Sequence, residues 1–192
     1  VEIMSRKAIK LPGLHNTANY MTAVAVTWGR TTPEKIREIA STFGGVEHRL
    51  EFVREVGGVS YINGSIDSSP TRTAAALSAI NDRPVVLIAG GYDKHIPYEP
   101  LADAVYSSSV RTVVLTGDTA AAIKKALTEN EKYSSSGLKI IDAESFEAAV
   151  RLAAQNARPG DTVILSPASA SFDRFKNFEE RGKYFKKLVN EM

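Results

Sequence analysis

Cysteine is absent from this 192-residue sequence. That excludes a disulfide framework, a thiolate metal site and a cysteine nucleophile, and it fits a reducing cytoplasm. Long apolar runs are missing too. No stretch approaches the roughly 20 residues that a membrane-spanning helix needs, and no signal-peptide pattern is visible. Charge of one sign is scarce: 24 Lys and Arg against 22 Asp and Glu leave a formal +2, too little to argue for nucleic acid or a membrane surface. Basic residues gather in "DRFKNFEERGKYFKK", but acids interrupt them, as on a solvated helix face. The sequence has no G-x-G-x-x-G after a strand, no G-x-x-x-x-G-K-[ST] and no G-x-S-x-G, so a dinucleotide fingerprint, a P-loop and a serine-hydrolase elbow are all missing. His15 and His95 lack a partner at i, i+4, and no metal site is expected.

What is present is an ordinary globular composition, 43% hydrophobic and 24% charged, long enough to bury a substantial core. "VEIMSRKAIK" has a strand-like mixture and stops at Pro12-Gly13. "HNTANYMTAVAVTWG" suggests a helix capped by Asn16. "TPEKIREIASTF" is an amphipathic helix with Thr32 as cap, Pro33 at the first helical position and Ile36, Ile39, Ala40 and Phe43 at helical spacing. Gly44-Gly45 ends it and marks a domain boundary, with residues 1–45 before it and 46–192 after.

Beyond Val46 the rhythm changes. "EFVREVGGVSYIN" is a hairpin signal around Gly57-Gly58. Helical segments ("SPTRTAAALSAI", "EPLADAVYS", "TAAAIKKAL", "SFEAAVRLAAQN") then alternate with short apolar strands ("RPVVLIAGG", "VRTVVLTG", "LKIID", "GDTVILSP"). "YSSSG" near residues 133–137 is a polar loop, and "SFDRFKNFEERGKYFKKLVNE" predicts one long final helix. Strands that do not alternate are buried on both faces, and strand–helix alternation implies an α/β fold with a doubly wound, mostly parallel sheet. In such sheets ligands bind beyond the carboxyl ends of the strands.

Those ends can be named. "GGYDK" pairs a tight glycine turn with the Lys94 ammonium, suited to a carboxylate or phosphate; a plain turn with a surface lysine accounts for it equally well. "SPASAS" offers hydroxyls and free N–H groups at an expected helix start, an anion site; Ser171 acting only as a cap is the plainer alternative. His48-Arg49 precedes the first strand of the second unit, where the arginine could clamp a phosphate or simply lie on the surface.

Taken together and in order, "LPGLHNTAN", "HRLE", "INGSIDSSPTRT", "GGYDK" and "LSPASASFDRFKNFEERG" resemble the C-terminal portion of a Mur ligase. The closest resemblance is to members that add D-glutamate to UDP-N-acetylmuramoyl-L-alanine in peptidoglycan synthesis. The resemblance implies the end of a central ATP-binding domain over residues 1–45, a strand-helix-helix remnant, followed by a Rossmann-like domain over 46–192. It implies an ATP- and Mg²⁺-dependent ligase acting through an acyl phosphate. Asn16 and Asn19 then correspond to positions near the adenine, and His48 and Arg49 to the pair whose arginine reaches the nucleotide phosphates. Lys94, Ser171, Phe172 and Phe178 correspond to the D-glutamate pocket, with Ser68 a further hydroxyl on its rim. Two positions depart from the pattern. Gly64 stands where an acid is expected to contact the ATP ribose, and Ile66 where some members have lysine. With no P-loop, this chain is not expected to activate ATP alone. The alternatives are a non-catalytic α/β module for a nucleotide or partner, or a folylpolyglutamate synthase-like domain.

Overall fold

The computed structural model describes residues 2–11 and 14–192, with the side chains of Leu14 and His15 left out; the Pro12-Gly13 stop and the His15 side chain lie outside the described residues. The chain divides into two compact units, Val1–Val46 and Glu47–Met192.

In the first unit, the expected strand does not form among residues 2–10. Ser5 instead caps a 3-10 turn, Arg6–Ala8, by accepting from Lys7 N. The segment is held by isolated bonds, Lys10 N to Ala40 O at 2.9 Å and Arg37 Nε to Ile3 O at 2.7 Å, with no neighbouring strand among the described residues to complete a ladder. Helix α1, Leu14–Thr27, begins two residues before Asn16, which therefore lies in the first turn and is not the cap. Helix α2, Pro33–Thr42, starts as expected: Thr32 Oγ1 accepts from Lys35 N and Pro33 takes the first position, where a missing N–H costs nothing. Ile36 and Ala40 are buried, whereas Ile39, Phe43, Met21, Val26 and Trp28 stay exposed.

The second unit opens with the hairpin β1 (Glu51–Val56) and β2 (Val59–Asn63), turned by Gly57-Gly58 at positive φ. There follow α3 (Pro70–Ala79), β3 (Val85–Ala89), α4 (Glu99–Tyr106), β4 (Val110–Leu115), α5 (Ala120–Glu129), α6 (Tyr133–Ser136), β5 (Lys139–Asp142), α7 (Phe146–Asn156), β6 (Thr162–Leu165) and α8 (Phe178–Asn190). The "YSSSG" segment is thus one helical turn closed by left-handed Gly137. The six strands lie in the order β1-β2-β6-β3-β4-β5, antiparallel only between β1 and β2.

Alternation within the central strands builds two cores. Val85, Leu87, Val113, Leu115 and Ile164 face Leu77, Leu101, Val105, Ile123 and Leu127 of α3, α4 and α5. Val86, Ile88, Val114, Val163 and Leu165 face Phe146, Val150, Phe185 and Val189 of α7 and α8. The sheet is therefore doubly wound, and β6 returns between β2 and β3. The chain leaves β2 and β3 toward one layer and β6 toward the other, so the loops diverge on both sides of β6. Such divergence opens a crevice at the carboxyl edge.

The final helix is shorter than expected. It starts at Phe178, not near Ser171, because Asn177 Oδ1 accepts from Glu180 N at 2.8 Å while Glu180 Oε2 reaches back to Lys176 N at 2.8 Å. This reciprocal cap fixes the start, and residues 171–177 form turns. Ser171 is not a helix cap; its carbonyl accepts from Arg174 and Phe175 N.

Candidate functional site

Three loops meet where the sheet divides. After β3, Gly90 and Gly91 run at φ +110° and +154°. A Cβ on Gly90 would fall 1.9 Å from Thr116 O, and one on Gly91 2.2 Å from Ala170 O, so only glycine lets this loop pass between the ends of β4 and β6. Tyr92 N donates to Ala170 O at 3.0 Å. After the turn Lys94 reaches sideways, and its Nζ donates to Ser68 O at 2.7 Å. The structure thus joins two of the residues expected at the site.

The serine-rich loop after β6 differs from the expected row of open hydroxyls. Ser166, Ser169 and Ser171 are all buried. Ser166 Oγ donates to Asp67 Oδ2 at 2.8 Å and stands 3.0 Å from Thr73 Oγ1. Ser169 Oγ bonds Tyr98 Oη and Thr119 Oγ1, each at 2.9 Å. The Ser166 and Ser169 hydroxyls face inward because the neighbouring loops supply their partners, and they fasten the rim together. Phe172, 64% exposed, meets the 41%-exposed Tyr92 edge to face with centroids 5.8 Å apart. An aromatic wall therefore stands on the same edge as the Lys94 ammonium.

Phe178 packs edge-on to the His48 ring at 6.0 Å. His48 is 3% exposed while Arg49 beside it is exposed. Its Nδ1 stands 3.0 Å from Asn63 Nδ2, and its Nε2 is buried with no hydrogen-bond partner among the described residues. Asn16 and Asn19 belong to α1, where Asn19 Nδ2 donates to Asn16 Oδ1 at 3.4 Å.

Glu47, His48 and Glu51 are the one group of acids and histidines among the described residues with metal-like spacing. Lys186 Nζ already donates to both carboxylates, at 2.6 and 2.9 Å. The trio fits an ammonium rather than Mg²⁺, which prefers an octahedral oxygen shell with several waters.

The sequence pattern missed one central residue. Arg181 is 2% exposed. Its Nε donates to Ser65 Oγ, Nη1 to Ala170 O, and Nη2 to Ser65 O and Ser169 O, at 2.9–3.1 Å. It joins the loops after β2 and β6. Burial lowers its pKa to about 10, opposed by the nearby Asp173 and Asp67, so it stays charged at neutral pH. Its position in line with Phe185 and Val189, four and eight residues on, marks it as core-facing.

Residues 48–169 match the family model described as "Mur ligase, glutamate ligase domain". The chain belongs to this Mur ligase family. A UDP-N-acetylmuramoylalanine–D-glutamate ligase of Ruminiclostridium cellulolyticum is 48% identical across the whole chain, and one of Clostridium kluyveri is 50% identical, again over the whole chain. The chain spans 41% of the length of each. Among solved structures, UDP-N-acetylmuramate-alanine ligase from Thermotoga maritima superposes with a TM-score of 0.68 at 16% identity, over 95% of this chain and 39% of that one. Folylpolyglutamate synthase from Mycobacterium tuberculosis gives 0.62 at 15%, over 92% and 41%. At such identities these two likenesses establish the α/β fold of Mur ligases and no more.

Proposed function

We propose that this chain is the amino-acid-binding part of a cytoplasmic, ATP-dependent ligase that adds D-glutamate to UDP-N-acetylmuramoyl-L-alanine. The observation that carries the reading is Lys94, an exposed ammonium held on Ser68 O at 2.7 Å at the dividing point of the sheet. Beside it the Tyr92–Phe172 pair offers an apolar surface. A dianionic amino acid with a short aliphatic stem needs this combination of cation, donors and apolar wall. Lys94, Ser68, Ser171, Phe172 and Phe178 are its proposed contacts. Curated relatives that share about half of this chain's residues carry the name of that ligase.

In this reading residues 1–45 end a central ATP-binding domain, with Asn16 and Asn19 near the adenine, and residues 46–192 form the C-terminal domain. Arg49, exposed beside the buried His48, reaches the nucleotide phosphates, and His48 anchors it. ATP transfers its terminal phosphoryl group to the carboxylate of the nucleotide substrate, releasing ADP, and the amine of the bound amino acid attacks that acyl phosphate, forming the amide as phosphate leaves and the amine loses a proton. Residues outside this chain hold Mg²⁺ and energise that carboxylate; what this chain contributes is capture and orientation of the nucleophile.

Calorimetric titration with the two glutamate enantiomers checks this. Preference for D-glutamate supports the reading. Preference for L-glutamate moves the assignment to a folylpolyglutamate synthase-like ligase, and heat from neither removes the binding claim.

A further inference from the structure

Gly64 and Asp67 close one turn at the end of β2: Gly64 N donates to Leu165 O at 2.7 Å, and Asp67 N donates to Gly64 O at 2.9 Å. The Asp67 side chain folds back over the glycine. A Cβ at position 64 would lie 2.6 Å from Asp67 Oδ2 and 2.8 Å from Leu165 O. The carboxylate thus fills the space that a side chain at 64 would need. It is 7% exposed and accepts from Ser166 Oγ at 2.8 Å, the first residue of the serine-rich loop. The next residue in the chain, Ser68, offers the carbonyl that holds Lys94. One aspartate therefore stands between the anchor of the lysine and the anchor of the serine loop.

We propose that Asp67 is a positioning residue that locks the two rims of the amino-acid site together, and that position 64 is glycine so that this carboxylate can occupy the turn. The sequence has no side chain at the buried position 64 and carries a buried acid three residues later. Asp67 touches no substrate; it acts through Ser166 and through the turn that presents Ser68 O to Lys94. The charged groups facing it are Arg49 before β1, Arg72 on α3 and Arg181 on α8; the β6 loop contributes the Ser166 hydroxyl. Burial raises the carboxyl pKa to about 6, the serine bond and the three arginines pulling the other way.

The positioning role on the ligand rests on the glutamate-binding reading, so the test has two arms on the 192-residue chain. In the first, amide resonances of Ser68, Lys94 and Ser166 are followed by NMR from pH 4 to 8. A common transition near pH 6 that disappears in Asp67→Asn is expected; a transition unchanged in that variant overturns the proposal. A double-mutant cycle accompanies it. Gly64→Ala should cost more stability in the wild type than in Asp67→Ala, where only the Leu165 O clash remains, and equal costs would overturn the shared-space claim. In the second arm, Asp67→Ala weakens D-glutamate binding about tenfold, the change that 1.4 kcal/mol produces, while Asp67→Asn, which keeps the acceptor, restores most of it. Unchanged affinity in Asp67→Ala refutes the positioning role. Absence of binding by the wild type refutes the glutamate reading and leaves the first arm to decide on the turn.

Discussion

Arg181 grips Ser65 twice, Nε to its hydroxyl at 3.0 Å and Nη2 to its carbonyl at 2.9 Å, although 116 residues separate them. Its remaining donors reach Ser169 O and Ala170 O. A buried guanidinium satisfied by carbonyls from two strand ends fixes their spacing in a way that apolar packing does not, because each bond has a direction.

Arg181→Met takes the printed donor from Ser65 O and Ser169 O, while Ala170 O keeps Tyr92 N, and the expected loss is about 3 kcal/mol of stability. Arg181→Lys recovers less than half, since one ammonium cannot reach acceptors on both loops. Chemical denaturation of the three proteins measures this; a lysine variant as stable as wild type would show that charge, not the fork, is what matters.

Gly182 gives a prediction of unusual sign. Glycine in a helix interior costs about 1 kcal/mol relative to alanine, so Gly→Ala in α8 would ordinarily stabilise. Here the added Cβ would lie 2.2 Å from His48 Nδ1 and 3.1 Å from Asn63 Nδ2. Gly182→Ala should therefore destabilise by about 2 kcal/mol, through displacement of the ring and loss of its bond to Asn63. A gain in denaturation midpoint would show that His48 is not held against the helix.

Asp67 sets a pH dependence. Its ordinary pKa of 3.8 rises to about 6 in the fold. A raised acid binds its proton more tightly when folded, so its favourable contribution is complete below pH 3.8 and is lost as pH rises through about 6. The full difference is about 3 kcal/mol. Asp67→Asn removes this dependence. Relative to wild type, the asparagine variant should gain stability between pH 4 and pH 7, and a stability difference that is flat across that range would argue against a buried, ionising Asp67.

Much of the architecture was legible because its signals are local. The continuous apolar runs of β3 and β6 announce strands buried on both faces, and Thr32-Pro33 announces the start of α2. The final helix is overextended in the sequence because Arg174 and Lys176 are good helix formers, while the decisive Asn177-to-Glu180 cap sits inside the same run. Gly90, Gly91 and Lys94 stood out as a glycine turn with a cation. The partners of the serines did not: whether Ser166 faces solvent or Asp67 depends on a residue brought alongside only by pairing of β2 with β6. Arg181 was hidden by its charge, although its spacing with Phe185 and Val189 carries the signal. Gly182 could not be explained before His48 was seen against it.

The central claim is that the edge bearing Lys94 receives D-glutamate. The most direct measurement is an NMR titration of the isotope-labelled chain with D-glutamate, in wild type and in Lys94→Met. The account predicts saturable shifts confined to the loops carrying Ser68, Tyr92–Lys94 and Ser171–Phe172, weakened at least tenfold, about 1.4 kcal/mol, in the variant. Absent shifts, or shifts that Lys94→Met leaves intact, would contradict it.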